Sequence, residues 1–507
     1  MPELYPAAEA LDKVRMAFLK WLNNQDTARY TAYAAYRDYY DGDHDTQLTE
    51  RMAKYLQVKR DQEFNANYCP IVVDALSERL SVTGFTCDDE AQAELFDDWW
   101  QANRMDAMQG ITHLSTIRDG DGYVLVEWNE AEGRPVYSYE LAFDGQEGAE
   151  LHYEDERNKP AFASKRWRVK VGNGTGKLRR LNCYYPDRIE KYISNQGEFE
   201  GAWQPYKEQG QPWPIPWVDR TGQPLGIPLV HFKNADQGYN YGQSELRSVV
   251  PLQNALNKSL IDLLAAADTT AFRIFWMLGD DPSGLEVAPG SWIYSTRPPG
   301  GDAGASVGFF PGEDLSPLIA LYTGFAAEVA KVTRTPLSYF QISGQTPAEG
   351  SQKQQEAGLV SKAKNRQVTF GNSWEDMLSM ARKLANLYGS MALDETATIS
   401  TQWASAETRN ETEDVANAKT KGELGIPQEQ LWAELGYSQA DIDHMKDLKQ
   451  QEKAESQKLL SQALLDAERQ FNAGNQAGPP MARRNTGQQP GVEQPGQGNE
   501  MDTGNNA

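Results

Sequence analysis

Apolar side chains near the start of the chain recur at steps of three and four residues, the spacing of one face of a helix. This spacing predicts a helix over residues 7–40, with Gly42 as its C-terminal cap. The same pattern predicts a second helix through 71–76 that ends near Gly84, and a third over about 91–118. The N-terminal region is therefore expected to be helical.

Between residues 122 and 233 the period of the large apolar positions changes to two. Apolar residues alternate with smaller or charged ones along 136–141 and 166–171, and glycine-rich stretches separate such segments. This alternation predicts an antiparallel sheet whose strands follow one another along the chain. The Pro- and Trp-rich stretch 203–228 predicts a surface loop, and Leu229–Lys233 predicts a further strand.

Two amphipathic helices are predicted next, on either side of a β-like insert rich in Gly and Pro. The first covers 242–270 and contains Pro251, which is expected to kink or restart it. The insert covers 271–313. The second helix covers 314–334 and starts at Ser316-Pro317, a cap followed by proline at the first helical position. The apolar stripes of the two helices are Leu246, Val249, Leu256, Leu260, Leu263 and Ala267, then Leu318, Leu321, Phe325, Val329 and Val332.

A loop and a long helix follow the helix pair. Residues 335–352 form a connection that is longer than most connections between helices, and long loops of this kind are typically functional. The apolar spacing then predicts a helix from about 353 to 389 and a short strand over Thr398–Trp403.

The C-terminal region is predicted to be helical over 406–470. Gly436 ends one helix there, and Ser438 with Asp441 opens the next in a capping-box pattern. Residues 471–507 carry almost no apolar side chains, so this tail is expected to be disordered.

Length and charge restrict the class of protein. A chain of 507 residues is too long for one hydrophobic core, so two or more substructures are expected. There is no run long enough to span a membrane and no visible secretory signal, and the three cysteines are too scattered for a disulfide framework. The net charge of −23 argues against a conventional nucleic-acid-binding protein, yet an acidic wall suits a channel through which a polyanion slides.

No motif predicts catalysis, a cofactor or a metal. Residues 171–177 depart from the spacing of a phosphate-binding loop and fit a hairpin turn. The stretch 242–246 lacks the second glycine of a nucleophile elbow, so Ser244 is interpreted as a helix N-cap. Asp119 and Asp121 are suited to a cation or to paired carboxylates, but a helix-to-strand turn explains them as well. The five histidines are scattered and no CxxC pair exists.

The order of these elements resembles that of the portal proteins of tailed bacteriophages, in particular the siphophage (actinobacteriophage-like) branch. The resemblance covers about residues 10–465 and implies an α+β portal fold without enzymatic activity. The stretches that carry it are Tyr39-Tyr40-Asp41-Gly42-Asp43-His44, Asn67-Tyr68-Cys69 with Val72-Val73-Asp74-Ala75-Leu76, Phe232-Lys233-Asn234-Ala235 before Gly242-Gln243-Ser244-Glu245-Leu246, Gly425-Ile426-Pro427, and Leu435-Gly436-Tyr437-Ser438.

The resemblance implies a division of the chain into functional parts. These are a wing (1–240 with 353–405), two stem helices (242–270 and 314–334), a clip (271–313), a tunnel loop (335–352) and a crown (406–470). It implies a ring, usually of twelve copies, at one capsid vertex of the virion, assembled in the host cytoplasm. The implied partners are double-stranded DNA as cargo, the terminase large subunit, head-completion or adaptor proteins, and a major capsid or scaffold protein, with no membrane.

The same resemblance assigns roles to particular residues. The stem contacts between subunits would be Leu256, Leu260, Leu263, Leu321, Phe325 and Val329. The clip would present Trp276, Trp292 and Tyr294. The tunnel loop would bring Tyr339, Phe340, Gln341, Gln345 and Gln352 to the DNA, because neutral polar and aromatic groups touch a sliding backbone without holding it. Lys331 and Arg334 would offer weak phosphate contacts or complement the helix dipole, and both interpretations stay open.

Elementary geometry agrees with a DNA channel. Twelve helices packed about 10 Å apart have a circumference of about 120 Å and hence a ring diameter of about 38 Å. Subtracting a helix width of about 10 Å leaves a bore of about 28 Å. Duplex DNA, about 20 Å across, passes through it.

Two other hypotheses compete with a portal. A nucleic-acid hydrolase would need an acidic or nucleophilic cluster, which the sequence does not offer convincingly. Another multimeric capsid or scaffold protein without a channel gives no reason for the order helix, insert, helix, loop, long helix. A negative-stain image with or without a ring and central hole separates these hypotheses.

Overall fold

The structure is a computed structural model that describes most of the chain. The described residues are 8–23, 26–44, 65–154, 159–171, 176–194, 203–208, 210–271, 275–278, 306–309, 314–340, 349–389, 391–407, 411–435, 437 and 439–474. The chain divides into two units, Met1–Ile442 and Asp443–Ala507, and each is described by itself.

Helices and strands are both abundant, so the fold class is α+β, as predicted. The helices are α1 (Ala8–Asn23), α2 (Thr27–Asp41), α3 (Cys69–Ser77), α4 (Glu90–Ala102), α5 (Met105–Asp119), α6 (Val249–Ala271), α7 (Ser316–Thr333), α8 (Glu349–Tyr388), α9 (Glu411–Glu423), α10 (Gln428–Glu434) and α11 (Gln439–Gly474). Short 3-10 helices cover Glu245–Arg247 and Leu337–Tyr339.

All strand pairs are antiparallel and belong to four sheets within the described residues. The strands are β1 (Val82–Cys87), β2 (Asp121–Asn129), β3 (Arg134–Leu141), β4 (Gly148–Tyr153), β5 (Pro160–Val171), β6 (Gly176–Tyr184), β7 (Arg188–Ser194), β8 (Trp203–Pro205), β9 (Ile215–Pro216), β10 (Leu229–Lys233), β11 (Phe275–Leu278), β12 (Ser306–Phe309) and β13 (Ile399–Trp403). The sheet orders are β10-β2-β3, β4-β5-β6-β7-β8 with β9 on β7, β1-β13 and β11-β12.

The long helix α8 forms the centre of the main core. Its Trp374 side chain is fully buried, with ring centroids 4.6 Å from Phe232 of β10 and 5.1 Å from Trp100 of α4. The same helix packs against β2, β10 and β13. It therefore joins the N-terminal helices, the three-stranded sheet and the C-terminal strand.

A second, smaller core lies between α1 and the six-stranded sheet. Leu19 and Leu22 of α1 are buried against Phe162, Leu181 and Tyr192 of that sheet. On β5 the side chains of Phe162 and Arg166 face α1, since Arg166 donates to Leu22 O, whereas Trp167 and Val169 of the predicted alternation lie on the opposite face of the sheet.

Several predicted elements are confirmed. Gly42 ends α2 in the left-handed conformation, with φ of 95°, and β10 has the predicted bounds Leu229–Lys233. The hairpin predicted at 171–177 is confirmed by the pairing of Val171 with Gly176. The helix pair is present as α6 and α7, and the paired strands β11 and β12 lie in the insert between them.

The N-terminal helices are shorter than predicted. The helix expected over 7–40 is two helices, because the Asp26 carboxylate accepts a hydrogen bond from Arg29 N and starts α2 anew. The helix expected over 91–118 is also divided, since Arg104 adopts a left-handed conformation with φ of 54°. Gly84 lies in β1, which pairs with the distant strand β13, so it does not end a helix.

Three other local predictions are corrected. The stretch 203–228 contains β8 and β9 and buries Trp203 and Trp217, so it is not simply a surface loop. The predicted helix 242–270 restarts at Val249, after the 3-10 helix Glu245–Arg247, so the break lies two residues before Pro251, whose missing N–H costs no helical bond in this first turn. Ser316 is the first helical residue and not the cap, since Asp314 accepts the hydrogen bond from Ser316 N.

The end of the chain lies partly outside the described residues. The predictions for Gly436 and Ser438, and the disorder predicted for 475–507, fall there. Helix α11 continues to Gly474, so 471–474 are helical and not part of a disordered tail. In the second unit the described leucines of α11 are exposed, including Leu459, Leu460, Leu464 and Leu465. No helix among the described residues has the length and apolar character needed to cross a membrane.

Three buried histidines make stability depend on pH. Burial lowers the pKa of His113 and of His152 to about 4, and that of His231 below its usual range. At His113 the two hydrogen bonds fix a neutral ring, because Trp374 Nε1 donates to Nε2 while Nδ1 donates to Leu80 O.

We expect stability to be complete above about pH 6.5 and to fall as the pH drops toward 4, because only the unfolded chain takes up these protons. The expected slope is about 1.4 kcal/mol per pH unit for His113 and the same for His152, and His231 adds to it in the same direction. Urea unfolding between pH 7 and 5 measures it. The variant His113→Asn, which keeps a donor for Leu80 O, should reduce the slope of the unfolding free energy against pH by the contribution of one histidine. An unchanged slope would contradict this assignment.

Candidate functional site

The chain is fixed tightly where the helix pair begins. Gly242 N donates to Asp121 Oδ1 at 2.7 Å, and a Cβ on Gly242 would lie 2.2 Å from Gly120 O. The Ser244 hydroxyl donates to Arg118 O and accepts from Leu246 N. Ser244 is thus a helix cap, as predicted, and its hydroxyl is not available as a nucleophile.

A largely buried ion network joins this segment to α7 and α8. Lys362 Nζ donates to Glu245 Oε2 at 2.6 Å and to Thr333 O, at the end of α7, at 2.8 Å. Arg366 donates to Glu245 Oε1 at 3.0 Å and to Asn234 Oδ1 at 2.5 Å. Burial alone would raise the pKa of Glu245, but the two cations outweigh it and lower that pKa. Residues 242–246, Asn234, Lys362 and Arg366 are called the root junction below.

The acidic turn at 119–122 is used to hold the fold together. Asp121 is fully buried and accepts hydrogen bonds from His231 Nε2 at 2.7 Å and Tyr33 OH at 2.5 Å, besides Gly242 N. Burial would raise the pKa of Asp121, but these donors lower it. Asp119 pairs with Arg37 and Arg118.

The structure therefore favours the turn interpretation of this motif over a catalytic one. Within the described part of the chain, no group of three or more His, Cys, Asp or Glu residues is placed to hold a metal ion.

The predicted tunnel-loop residues separate into exposed, buried and undescribed ones. Tyr339 is exposed, and its hydroxyl accepts a hydrogen bond from Arg79 at 3.4 Å. Phe340 was predicted to contact DNA. It is instead buried inside the subunit, with its ring 5.6 Å from that of Tyr68. Gln341 and Gln345 lie outside the described residues. Gln352 belongs to α8, because that helix begins at Glu349, before the predicted end of the loop.

The two cations at the end of α7 have different surroundings. Lys331 pairs with Glu328 at 2.7 Å on the exposed face of the helix. Arg334 ends α7 in the left-handed conformation, with an exposed side chain. It lines two cavities, of about 460 and 640 Å³.

The predicted stem contacts also divide into two sets. Leu256 and Val329 are fully buried in the core of their own subunit, so they cannot form the predicted contacts with a neighbour. Leu260, Leu263 and Phe325 are partly exposed, and Leu321 is 48% exposed. Of the clip residues, Trp276 is partly exposed on β11, while Trp292 and Tyr294 lie outside the described residues.

Polar residues on α6 were missed by the sequence interpretation. Gln253 and Asn257 are fully buried and bind the backbone of 66–68: Tyr68 N donates to Gln253 Oε1, and Ala66 N donates to Asn257 Oδ1. The apolar stripe of α6 pointed only to its leucines. The four-residue spacing of Gln253 and Asn257, which places both amides on one face of the helix between apolar positions, was the sequence signal for these residues.

The chain is similar to known proteins in sequence and, more distantly, in structure. A family model described as "Phage portal protein, SPP1 Gp6-like" matches residues 19–458. The portal protein of Mycobacterium phage D29 is 22% identical over 428 residues, covering 80% of this chain and 82% of that protein. A solved structure titled "Neck of native GTA particle computed with C12 symmetry" has a TM-score of 0.39 and 12% identity, covering 73% of this chain and 89% of that one.

The root junction gives a stability prediction. Replacing Glu245 by Ala leaves the buried Arg366 and the partly buried Lys362 without a counter-charge, so the free energy of unfolding should fall by up to about 3–5 kcal/mol. The matched control is Glu328→Ala, which removes an exposed carboxylate at a similar distance from a lysine and should cost less than about 1 kcal/mol. Thermal unfolding measures both. Equal losses in the two variants would show that burial does not strengthen the pair.

Proposed function

Since the chain belongs to the phage portal protein family of the SPP1 Gp6-like type, we propose that it lines the channel through which the phage genome enters and leaves the capsid. As a member of that family it is a structural subunit of the portal ring at the capsid vertex, and it is not an enzyme. The observation that carries the proposal is the family match across residues 19–458. The order of α6, β insert, α7, loop and α8 supports it.

The parts of the ring are proposed as follows. The segments 242–270 and 314–334, which contain nearly all of α6 and all of α7, act as the stem, and the insert 271–313 acts as the clip. The segments 1–240 and 353–405 act as the wing, 335–352 as the tunnel loop and 406–470 as the crown. Support for the stem comes from the root junction, which holds one end of both helices on α8 and on the wing.

We propose that the ring contains twelve subunits and that the partly exposed apolar residues of α6 and α7 pack between them. Leu260, Leu263, Leu321 and Phe325 stay at least partly uncovered in one subunit. A second copy beside the first would remove this apolar surface from water.

The proposed partners follow from the channel. Double-stranded DNA is the cargo, the terminase large subunit and head-completion or adaptor proteins meet the clip, and a major capsid or scaffold protein surrounds the wing. Assembly takes place in the host cytoplasm before the ring becomes part of the virion. The net charge of −23 supports a sliding polyanion, because an acidic surface gives phosphates few sites that hold them.

In the tunnel loop we propose that Tyr339, Gln341 and Gln345 contact DNA and that Phe340 anchors the start of the loop on Tyr68. Tyr339 has an exposed ring next to the buried Phe340, which supports a division into a contact residue and an anchor.

Ring assembly tests the stem proposal. Leu321→Asp places a charge in the proposed apolar contact, where it has no partner, so rings should be replaced by smaller species. Val368→Asp is the control, because Val368 is 64% exposed on α8, outside the stem. Light scattering gives the mass of each. Intact rings of Leu321→Asp would exclude Leu321 from the contact between subunits.

Genome packaging tests the tunnel loop. Deleting 341–348, the segment between Phe340 and the start of α8, should leave ring mass unchanged and impair packaging or retention of DNA. The measurement is the length of packaged genome in particles that carry the deletion. Packaged genomes of normal length in well-formed particles would show that the loop only connects two helices and has no role in contacting DNA.

A further inference from the structure

Arg334 has an unfavourable backbone conformation, and its guanidinium forms no ion pair with a carboxylate among the described residues. Its φ of 57° lies in the left-handed region that favours glycine at a helix C-terminus, so another residue there is retained at a cost in stability. The aliphatic part of the side chain crosses the backbone of α8, because a Cβ on Gly358 would lie 3.4 Å from Arg334 Cβ and 3.9 Å from Cδ.

The cavity of about 460 Å³ beside Arg334 has the lining of an anion site. Arg334, Lys362 and Arg366 supply three positive charges, whereas Glu245 and Asp236 supply two negative ones, so the lining carries an excess of one positive charge. The remaining lining includes hydrogen-bond donors on uncharged side chains, which are Gln237, Ser361 and Asn365.

We propose that this cavity binds one phosphate group, with Arg334 as the main contact and Ser361 and Asn365 as additional donors. The guanidinium of arginine matches two phosphate oxygens at once, and the neutral donors suit the others. A carboxylate from a second copy of the chain has two oxygens and would leave several donors unused. Because the lining has only one excess positive charge, the phosphate is bound weakly, so that a sliding DNA backbone can dissociate from the site.

The source of the phosphate is either a DNA backbone or a free phosphate ion. The DNA source rests on the proposed function, because Arg334 comes directly before the proposed tunnel loop. The anion site itself does not rest on it, since a purified ring can be tested for phosphate binding without any packaging.

The central variant is Arg334→Gly, tested in full-length assembled rings. Glycine suits the left-handed position, so the thermal midpoint in chloride should stay the same or rise. Inorganic phosphate should raise the midpoint of the wild type above its value in chloride at equal ionic strength, and Arg334→Gly should abolish this rise. Ser361→Asp, which places a negative charge at the exposed edge of the cavity, should abolish it too. Lys364→Met, which removes a cation of the same helix outside the cavity, should keep it.

A short DNA duplex distinguishes the two sources. With DNA as the source, Arg334→Gly should bind the duplex more weakly, and the slope of log K against log salt should fall by about 0.9 for each phosphate that the variant no longer neutralises. An abolished phosphate effect with an unchanged DNA slope would overturn the DNA source and support a free phosphate. If phosphate does not raise the thermal midpoint of wild-type rings, the proposed phosphate site is wrong. If rings of Arg334→Gly fall apart, the proposal is also wrong, and Arg334 instead forms a contact between subunits.

Discussion

The largely buried carboxylate of Glu245 constrains how the helix pair meets the long helix. A charge in this environment is stable only with its partners in place, and those partners, Lys362 and Arg366, both belong to α8. Lys362 also binds Thr333 O at the end of α7, and Arg366 binds Asn234 at the end of β10. The segment just before α6, the end of α7, the long helix and the three-stranded sheet are therefore held in one arrangement, and the proposed channel depends on it.

The rest of the helix pair is held less firmly, which is consistent with its proposed role. Near the root, α6 is docked by the buried amides of Gln253 and Asn257 on the backbone of 66–68. Away from the root, Leu260, Leu263 and Leu321 are left partly or largely exposed. A subunit that completes its own core at one end and leaves apolar surface at the other is suited to closing a ring with identical copies.

The predictions succeeded where one element decides its own structure. The helix pair, the long helix α8 and the strand Leu229–Lys233 follow from apolar periodicity, which is a property of each segment. Predictions of burial were less reliable. Leu256, Val329 and Phe340 were assigned to contacts with neighbours or DNA, but they pack inside the subunit. A stripe shows that a helix has an apolar side but not which protein surface covers it.

The α+β class, the order of the helix pair, insert, loop and long helix, and the turn at 119–122 could be predicted from local sequence features, because periods, caps and glycines act over a few residues. Which charges meet depends on the tertiary structure. Glu245 and Arg366 are far apart along the chain, and no local pattern predicts their pairing. The same holds for β1, which pairs with β13 and thereby makes Gly84 part of a strand. The physical reason is that burial sets the energy of a charge or of an unpaired strand edge, and burial depends on segments distant in the sequence.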